Sequence, residues 1–272
     1  MIYSPGFTPI RSPARQVLTV YDLIHLEGAS PLSPRSIFYD RIIKPAIYRS
    51  KLLITCSDES AVVIREWLAD DSVNVVVART GISDAFVPSA IPHSADRPYV
   101  AYVGNFKPHK NVRVAFEAMA QLPDLDLVVV SSDVDAAGAL ADEFGIRARL
   151  HVLSNITDDQ LAGVYVGATA TVMPSLAEGF GLPAAESIAS GTPVVYWSGC
   201  APIAGTVGSA GIGVGSAVDA NEWAAALVAT INSEPIAAAV TSYTPSTWDL
   251  AARTIETALT DYIDRGERPD ER

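Results

Sequence analysis

The chain has 272 residues, 49% hydrophobic and 18% charged, with 19 basic against 31 acidic residues for a net charge of −12. That apolar fraction is enough for a sizeable core and excludes a disordered chain, while the acidic balance argues against nucleic acid as a partner. Cys56 and Cys200 lie too far apart to suggest a disulfide framework or a zinc knuckle, and the longest uncharged stretch, residues 187–218, is broken by Gly, Pro and Ser, so no membrane span is predicted.

Strand and helix patterns then alternate, the signature of parallel sheets with crossover helices in an α/β protein. Residues 17–20 read as a strand, 36–48 as a helix interrupted at Pro45, 51–55 as a strand, 58–68 as a helix and 73–77 as a strand. This stretch is basic: Arg11, Arg15, Arg35, Arg41, Lys44, Arg49 and Lys51 outnumber Asp22, Glu27 and Asp40 by four. Basic residues beside Phe38, Ile42, Ile43 and Tyr48 suit either an interfacial helix on anionic lipid or a helix with an ordinary solvated face. Residues 86–98 carry Pro88, Pro92 and Pro98 and read as a linker.

A second series follows: strand 99–103, helix 111–121, strand 125–130, helix 136–144, strand 150–153, helix 158–166 and strand 170–173. Beyond a glutamate-bearing loop come a short helix at 184–190, a strand near 193–196 and a helix at 220–231. The glycine cluster from Gly208 to Gly215 lacks the helix and distant acid of a dinucleotide fingerprint and reads as a loop and short strand. A last helix, 247–263, follows a turn in which Ser246 is a candidate cap. The domains expected are 1–92, 93–246 and a terminal helix, 247–272, packing back on the first. His25, His93, His109 and His151 have no metal-ligand spacing, and no Walker lysine or nucleophile elbow is present.

The most informative run is Glu178-Gly-Phe-Gly-Leu-Pro-Ala-Ala-Glu186. Gly179 and Gly181 let backbone approach a ligand, and Pro183 suits the opening of a helix because its missing N–H is not needed there. A helix start of this kind attracts phosphate, and two carboxylates accept hydrogen bonds from sugar hydroxyls. The alternative is a strand-to-helix turn whose glutamates are merely solvated.

With the segments Thr19 to Ile24, Val103 to Asn111 and Ser190 to Val195, this run makes the chain resemble the retaining glycosyltransferases of family 4 over nearly its whole length. The resemblance implies a GT-B-like fold, two Rossmann-like domains with parallel sheets, the N-terminal one incomplete here. It implies a nucleotide-sugar donor held by Gly104, Asn105, His109, Lys110, Gly179, Phe180, Gly181, Leu182 and Glu186, with Glu186 on the ribose. Simple packing is an equal alternative for Phe180, and a solvent-exposed loop position for His109. Glu178 would face the transferred sugar and Lys110 the diphosphate, as catalytic groups, while Tyr21 and Asp22 would enter the acceptor-side cleft.

The implied reaction retains configuration, uses the donor's own phosphate to deprotonate the acceptor, and needs no metal and no cofactor. The acceptor would be a glycan or lipid-linked, in cell-surface polysaccharide assembly, and the protein would be cytoplasmic or peripheral at the inner membrane face. Three departures stand out. The usual N-terminal βα units are absent, so a homo-oligomer, a partner chain or a misplaced start would explain the open edge; a donor-binding subunit of a split transferase, or a truncated inactive homologue, is the alternative function. Tyr21 stands where many relatives have histidine. Asn105 and His109 stand where they often have arginine, leaving Lys110 as the cation of that turn.

Overall fold

Two parallel sheets, each with its own core, organise the chain in the computed structural model, which describes residues 1–26, 28–231 and 233–266. Packing divides them into a first unit, residues 1–81 with the C-terminal segment from 246, and a second, residues 82–245. The expected terminal helix therefore belongs with the first unit, and its residues 267–272 lie outside the described residues.

In the first unit β1 (Ile2–Ser4), β2 (Gln16–Thr19), β3 (Leu52–Thr55) and β4 (Asn74–Val77) lie side by side in chain order, all parallel. Side chains alternate across the sheet. Leu18 and Leu53 face a core shared with α1 (Pro34–Phe38), the stretch Tyr39–Ile43, α2 (Lys44–Ser50) and α3 (Asp58–Leu68). Val17, Leu52 and Ile54 face the other way, onto Ile255, Ala258 and Leu259 of the last helix.

Pro45 does not break the helix from residue 34 to 50, as the sequence suggested. A proline removes one N–H and crowds the carbonyl four residues back. The chain absorbs this by widening to π-type hydrogen bonding over Tyr39–Ile43 and resuming as α2, whose buried Ala46 and Ile47 keep the core face continuous.

The second unit is a six-stranded parallel sheet. It contains β5 (Tyr99–Val103), β6 (Asp126–Val130), β7 (Leu150–Leu153), β8 (Ala170–Met173), β9 (Val194–Trp197) and β10 (Gly211–Val214), in the order β10-β9-β8-β5-β6-β7. Its central strands β5 and β8 are apolar apart from Thr171, whose hydroxyl accepts that of Ser187 at 2.8 Å, as suits strands covered on both faces. Val100, Tyr102, Val172 and Val195 pack beneath α4 (Val112–Ala120), α5 (Val134–Glu143) and α9 (Ala220–Ile231), where Trp223 is fully buried. On the other face Ala101 and Val164 meet, and Met173 and Val194 meet, under α6 (Asp158–Gly167), α7 (Leu182–Ala189), α8 (Ala201–Val207) and α10 (Glu234–Thr241). The sequence reading held neither α8 nor α10, nor the short β1.

The proline-bearing stretch 86–98 is not a free linker. Phe86 is buried with Ile82, Ala162, Tyr165 and Ala185, and the His93 amide donates to the Gly163 carbonyl at 2.8 Å, so this stretch is strapped onto α6 and the division between units falls at Gly81 instead of near residue 92. Among the described residues no single helix is long and apolar enough to cross a membrane.

The last helix, α11 (Trp248–Gly266), is capped by Thr247, not Ser246: the Leu250 amide donates to Thr247 Oγ1 at 3.1 Å, while the Ser246 hydroxyl donates to the Arg79 carbonyl at 3.2 Å. Thr247→Ala should cost about 1 kcal/mol, the usual value of a lost cap. Ser246→Ala should cost less, because its exposed bond exchanges with water. Urea midpoints followed by far-ultraviolet dichroism would check the ranking.

Candidate functional site

The strand order of the second unit reverses between β5 and β8: the chain runs outward through β6 and β7, returns, and runs the other way through β9 and β10. Loops leaving the carboxyl ends of those two neighbours diverge, and the crevice between such loops is where open α/β sheets bind ligands.

The loop after β5 begins at Gly104, whose φ of +151° is a conformation side chains rarely adopt and where a Cβ would stand 3.1 Å from the Tyr102 hydroxyl. That hydroxyl donates to the Asn105 carbonyl at 2.7 Å, and the Asn105 side chain accepts the Lys107 amide at 3.2 Å. One turn of 3-10 helix, Pro108–Lys110, and a left-handed Asn111 then lead into α4. The Asn111 side chain donates to the Ala217 carbonyl at 2.7 Å, which ties this turn to the loop after β10.

The loop after β8 is stitched to the first at two points. The Leu176 amide donates to the His109 carbonyl at 2.7 Å, and Lys110 Nζ donates to Glu178 Oε1 at 2.5 Å, with 15% and 13% of the two side chains exposed. The chain continues through the buried Gly179 and the half-buried Phe180, whose carbonyl accepts the Thr206 hydroxyl at 2.9 Å. Gly181 then turns into α7 with φ +90°, where a Cβ would lie 3.3 Å from Ile203 Cγ1. No side chain caps α7, Pro183 brings no N–H, and the Ala184 and Ala185 amides both donate to the Gly181 carbonyl, at 3.0 and 3.2 Å, so what faces the loop is the Leu182 amide and the positive end of the helix dipole.

Glu186 lies further along α7, half-buried, with Oε2 accepting the Tyr165 hydroxyl at 3.0 Å. Burial pushes this carboxyl up to about 7; the Tyr165 bond pulls it down and Asp158 pushes it up again. Burial likewise raises the Cys200 thiol, at the start of α8, to about 11, with the Glu178 charge adding to the shift, so it is protonated at neutral pH.

The sequence-predicted site residues thus fall on two neighbouring segments: Gly104, Asn105, His109 and Lys110 on the loop after β5, and Glu178, Gly179, Phe180 and Gly181 on the loop after β8 with Leu182 and Glu186 on the helix α7 that follows it. Phe180 and Leu182 pack onto the cluster around Phe86 and Tyr165. Tyr21 and Asp22 belong to the first unit, just after β2. Tyr21 is exposed and donates to the Pro5 carbonyl at 3.2 Å; Asp22 accepts the Ile24 amide at 3.1 Å and sits 3.8 Å from His25 Nδ1.

Three contributors escaped sequence reasoning. Asp133 accepts the Phe106 amide at 2.8 Å, and its place just past β6 could have marked it. Glu222 clamps the Gly215 and Ser216 amides at 2.6 and 3.0 Å. Tyr165 reads as one more apolar position on α6, and only three-dimensional packing reveals its hydroxyl's partner. Among the described residues no group of three or more His, Cys, Asp or Glu side chains gathers as a metal centre requires.

The family model for glycosyl transferases group 1 matches residues 85–247. A curated relative from Mycolicibacterium paratuberculosis, named D-inositol 3-phosphate glycosyltransferase, is 30% identical over 251 residues, 86% of this chain and 56% of that protein. The chain spans about half to two thirds of the length of such relatives. Among solved structures, a sucrose-phosphate synthase from Thermosynechococcus elongatus is similar over 94% of this chain and 69% of its own, at 21% identity and a TM-score of 0.69. Anabaena HepE in complex with UDP-glucose is similar over 90% of this chain and 72% of its own, at 17% identity and a TM-score of 0.65. At these identities the structures speak for the GT-B fold.

The shifted Glu186 carboxyl ties stability to pH. Between its ordinary value of 4.5 and about 7 the folded chain keeps a proton that the unfolded chain releases, so this group makes stability fall as pH rises through that window. Glu186→Gln should flatten the fall and leave the variant more stable than wild type at pH 8, by roughly 2–3 kcal/mol. Chemical denaturation at pH 5 and pH 8 measures it. Gly181→Ala should cost about 1–2 kcal/mol, because alanine pays for a left-handed φ against Ile203.

Proposed function

The chain belongs to the group 1 glycosyl transferases, and on that premise we propose that it transfers a sugar, with retention, from a nucleotide-sugar donor to a glycan or lipid-linked acceptor. The observation that carries this reading is the meeting of Lys110 and Glu178 at the sheet's switch point, in front of an uncapped helix that also bears Glu186. It brings together a cation and the positive end of a helix for a diphosphate, a carboxylate for sugar hydroxyls and a second carboxylate for ribose hydroxyls.

In the proposed reaction the diphosphate lies against the positive end of α7, at the Leu182 amide, and draws Lys110 from Glu178. The bond from the anomeric carbon to the phosphate oxygen breaks, the acceptor hydroxyl attacks from the same face, and its proton passes to the departing phosphate oxygen. The leaving group's growing charge is stabilised by Lys110 and the positive end of the helix more strongly in the transition state than before it. These groups supply the positive field that a divalent ion supplies elsewhere, and we read the reaction as metal-independent. Gly104, Asn105 and His109 shape the wall beside the diphosphate, and Tyr21 and Asp22 serve the acceptor side.

The setting we propose is cell-surface polysaccharide or glycoconjugate assembly, in the cytoplasm or at the inner membrane face. The relatives' name adds inositol phosphate to the acceptors worth assaying.

Calorimetry with UDP, GDP and ADP should find one nucleotide that binds. Glu186→Ala should weaken it by about 10- to 100-fold, the worth of hydrogen bonds to a charged group; unchanged affinity would remove Glu186 from the ribose. Lys110→Met and Glu178→Gln should lower kcat with the productive donor by roughly 100-fold or more while nucleotide affinity changes less. Activity should survive EDTA, and loss that magnesium restores would overturn the metal-independent reading.

A further inference from the structure

We propose that Tyr165 is a positioning residue for the donor: its hydroxyl pins Oε2 of Glu186 so that Oε1 is presented to the ribose. The inference rests on the ribose role of Glu186 proposed above and adds a residue outside the glutamate run.

Tyr165 is fully buried, and its hydroxyl donates to Glu186 at 3.0 Å. A buried hydroxyl left without a partner is costly, so the pairing holds wherever the ring is held. The ring is fixed from several directions. Phe86 packs edge-on with centroids 6.0 Å apart, Ala162 and Ala185 close the cluster, and the Thr192 hydroxyl donates to the Tyr165 carbonyl at 2.6 Å. The helix beneath is anchored too: Thr157 and Gln160 form a reciprocal cap at its start. A Cβ on Gly163 would come within 2.5 Å of the Ile91 carbonyl, so α6 sits tight against the strapped stretch before β5.

The glutamate by contrast has a flexible stem. A carboxylate with three rotatable bonds that must meet a ribose in one orientation benefits from a partner that removes that freedom before the ligand arrives. The groups that act electrostatically on Glu186 are Tyr165 and Asp158, both on α6. The tyrosine donates to the ionised form, the form that accepts ribose hydroxyls. Positioning and ionisation therefore work in the same direction.

The test is binding of whichever of UDP, GDP and ADP the wild-type chain holds most tightly, by calorimetry from pH 5.5 to 8.5, in Tyr165→Phe, Glu186→Gln and the double variant. Wild-type affinity should rise with pH as Glu186 ionises. Tyr165→Phe, which keeps the ring packing, should bind about tenfold more weakly at pH 8 and move the midpoint of the rise upward by roughly one unit. In the Glu186→Gln background the same change should add nothing. Site-specific 3-fluorotyrosine at position 165, a stronger donor of nearly the same volume, should move the midpoint downward and serves if the phenylalanine variant does not fold.

A Tyr165→Phe or fluorotyrosine profile identical to wild type, with Glu186→Gln impaired, overturns the positioning role and leaves the ribose role intact. Glu186→Gln binding as wild type overturns the ribose role itself. A loss in Tyr165→Phe that persists undiminished in the Glu186→Gln background shows a general packing role and overturns the proposal as well.

Discussion

The reversal of strand order between β5 and β8 is the constraint on which the site depends. Elsewhere in the sheet successive strands progress in one direction, and the crossover helices pack on its faces. At the reversal two loops leave adjacent strands in opposite senses, and space opens above the pair. Lys110 and Glu178 are 68 residues apart, yet the register that sets Val100 opposite Ala170 delivers both to the same spot. The central strands can occupy this position because they are apolar save for Thr171, whose hydroxyl is paired, so the unit's largest buried cluster fixes the floor of the site.

The two glutamates of one short run live in different electrostatic settings, and the fold sets the difference. Glu178 has the Lys110 ammonium against it, at 2.5 Å. Glu186 has a neutral phenol, a buried position and a distant carboxylate, and burial dominates. A group that is close to half-ionised near neutral pH can respond to a ligand that favours one form. One loop and the helix it opens thus hold an ion pair and a carboxyl poised to ionise.

Much of this was legible in the sequence, and what was not has identifiable causes. The glutamate run, the lysine turn and the long periodic elements announce themselves because each depends on neighbours in the chain. Tyr165 does not, since its significance lies in a partner on another helix and it looks like any core aromatic. The helix Ala201–Val207 was missed because its short span contains proline and glycine, two residues that locally disfavour helix, and tertiary burial of Ile203 and Val207 overrides them. By its prolines alone the stretch 86–98 has the composition of a linker. Proline limits hydrogen bonding but not packing, and Phe86 supplied an anchor that composition could not weigh.

The ion pair between Lys110 and Glu178 has a further consequence for the proposed transfer. An empty site holding a bare ammonium would pay desolvation with nothing to offset it, whereas pairing with Glu178 returns part of that cost. A bound diphosphate competes with Glu178 for the lysine, so in the ground state the cation is shared and its pull on the phosphates is moderated. As the anomeric bond breaks, negative charge accumulates on the departing oxygen and the balance tips toward the phosphate. The attraction is thereby largest where the barrier is, which is the condition for a binding group to accelerate a reaction instead of only retaining its substrate. The carboxylate that lets go of the lysine is freed at the same moment to accept hydroxyls of the sugar, whose ring carries the opposite, positive charge.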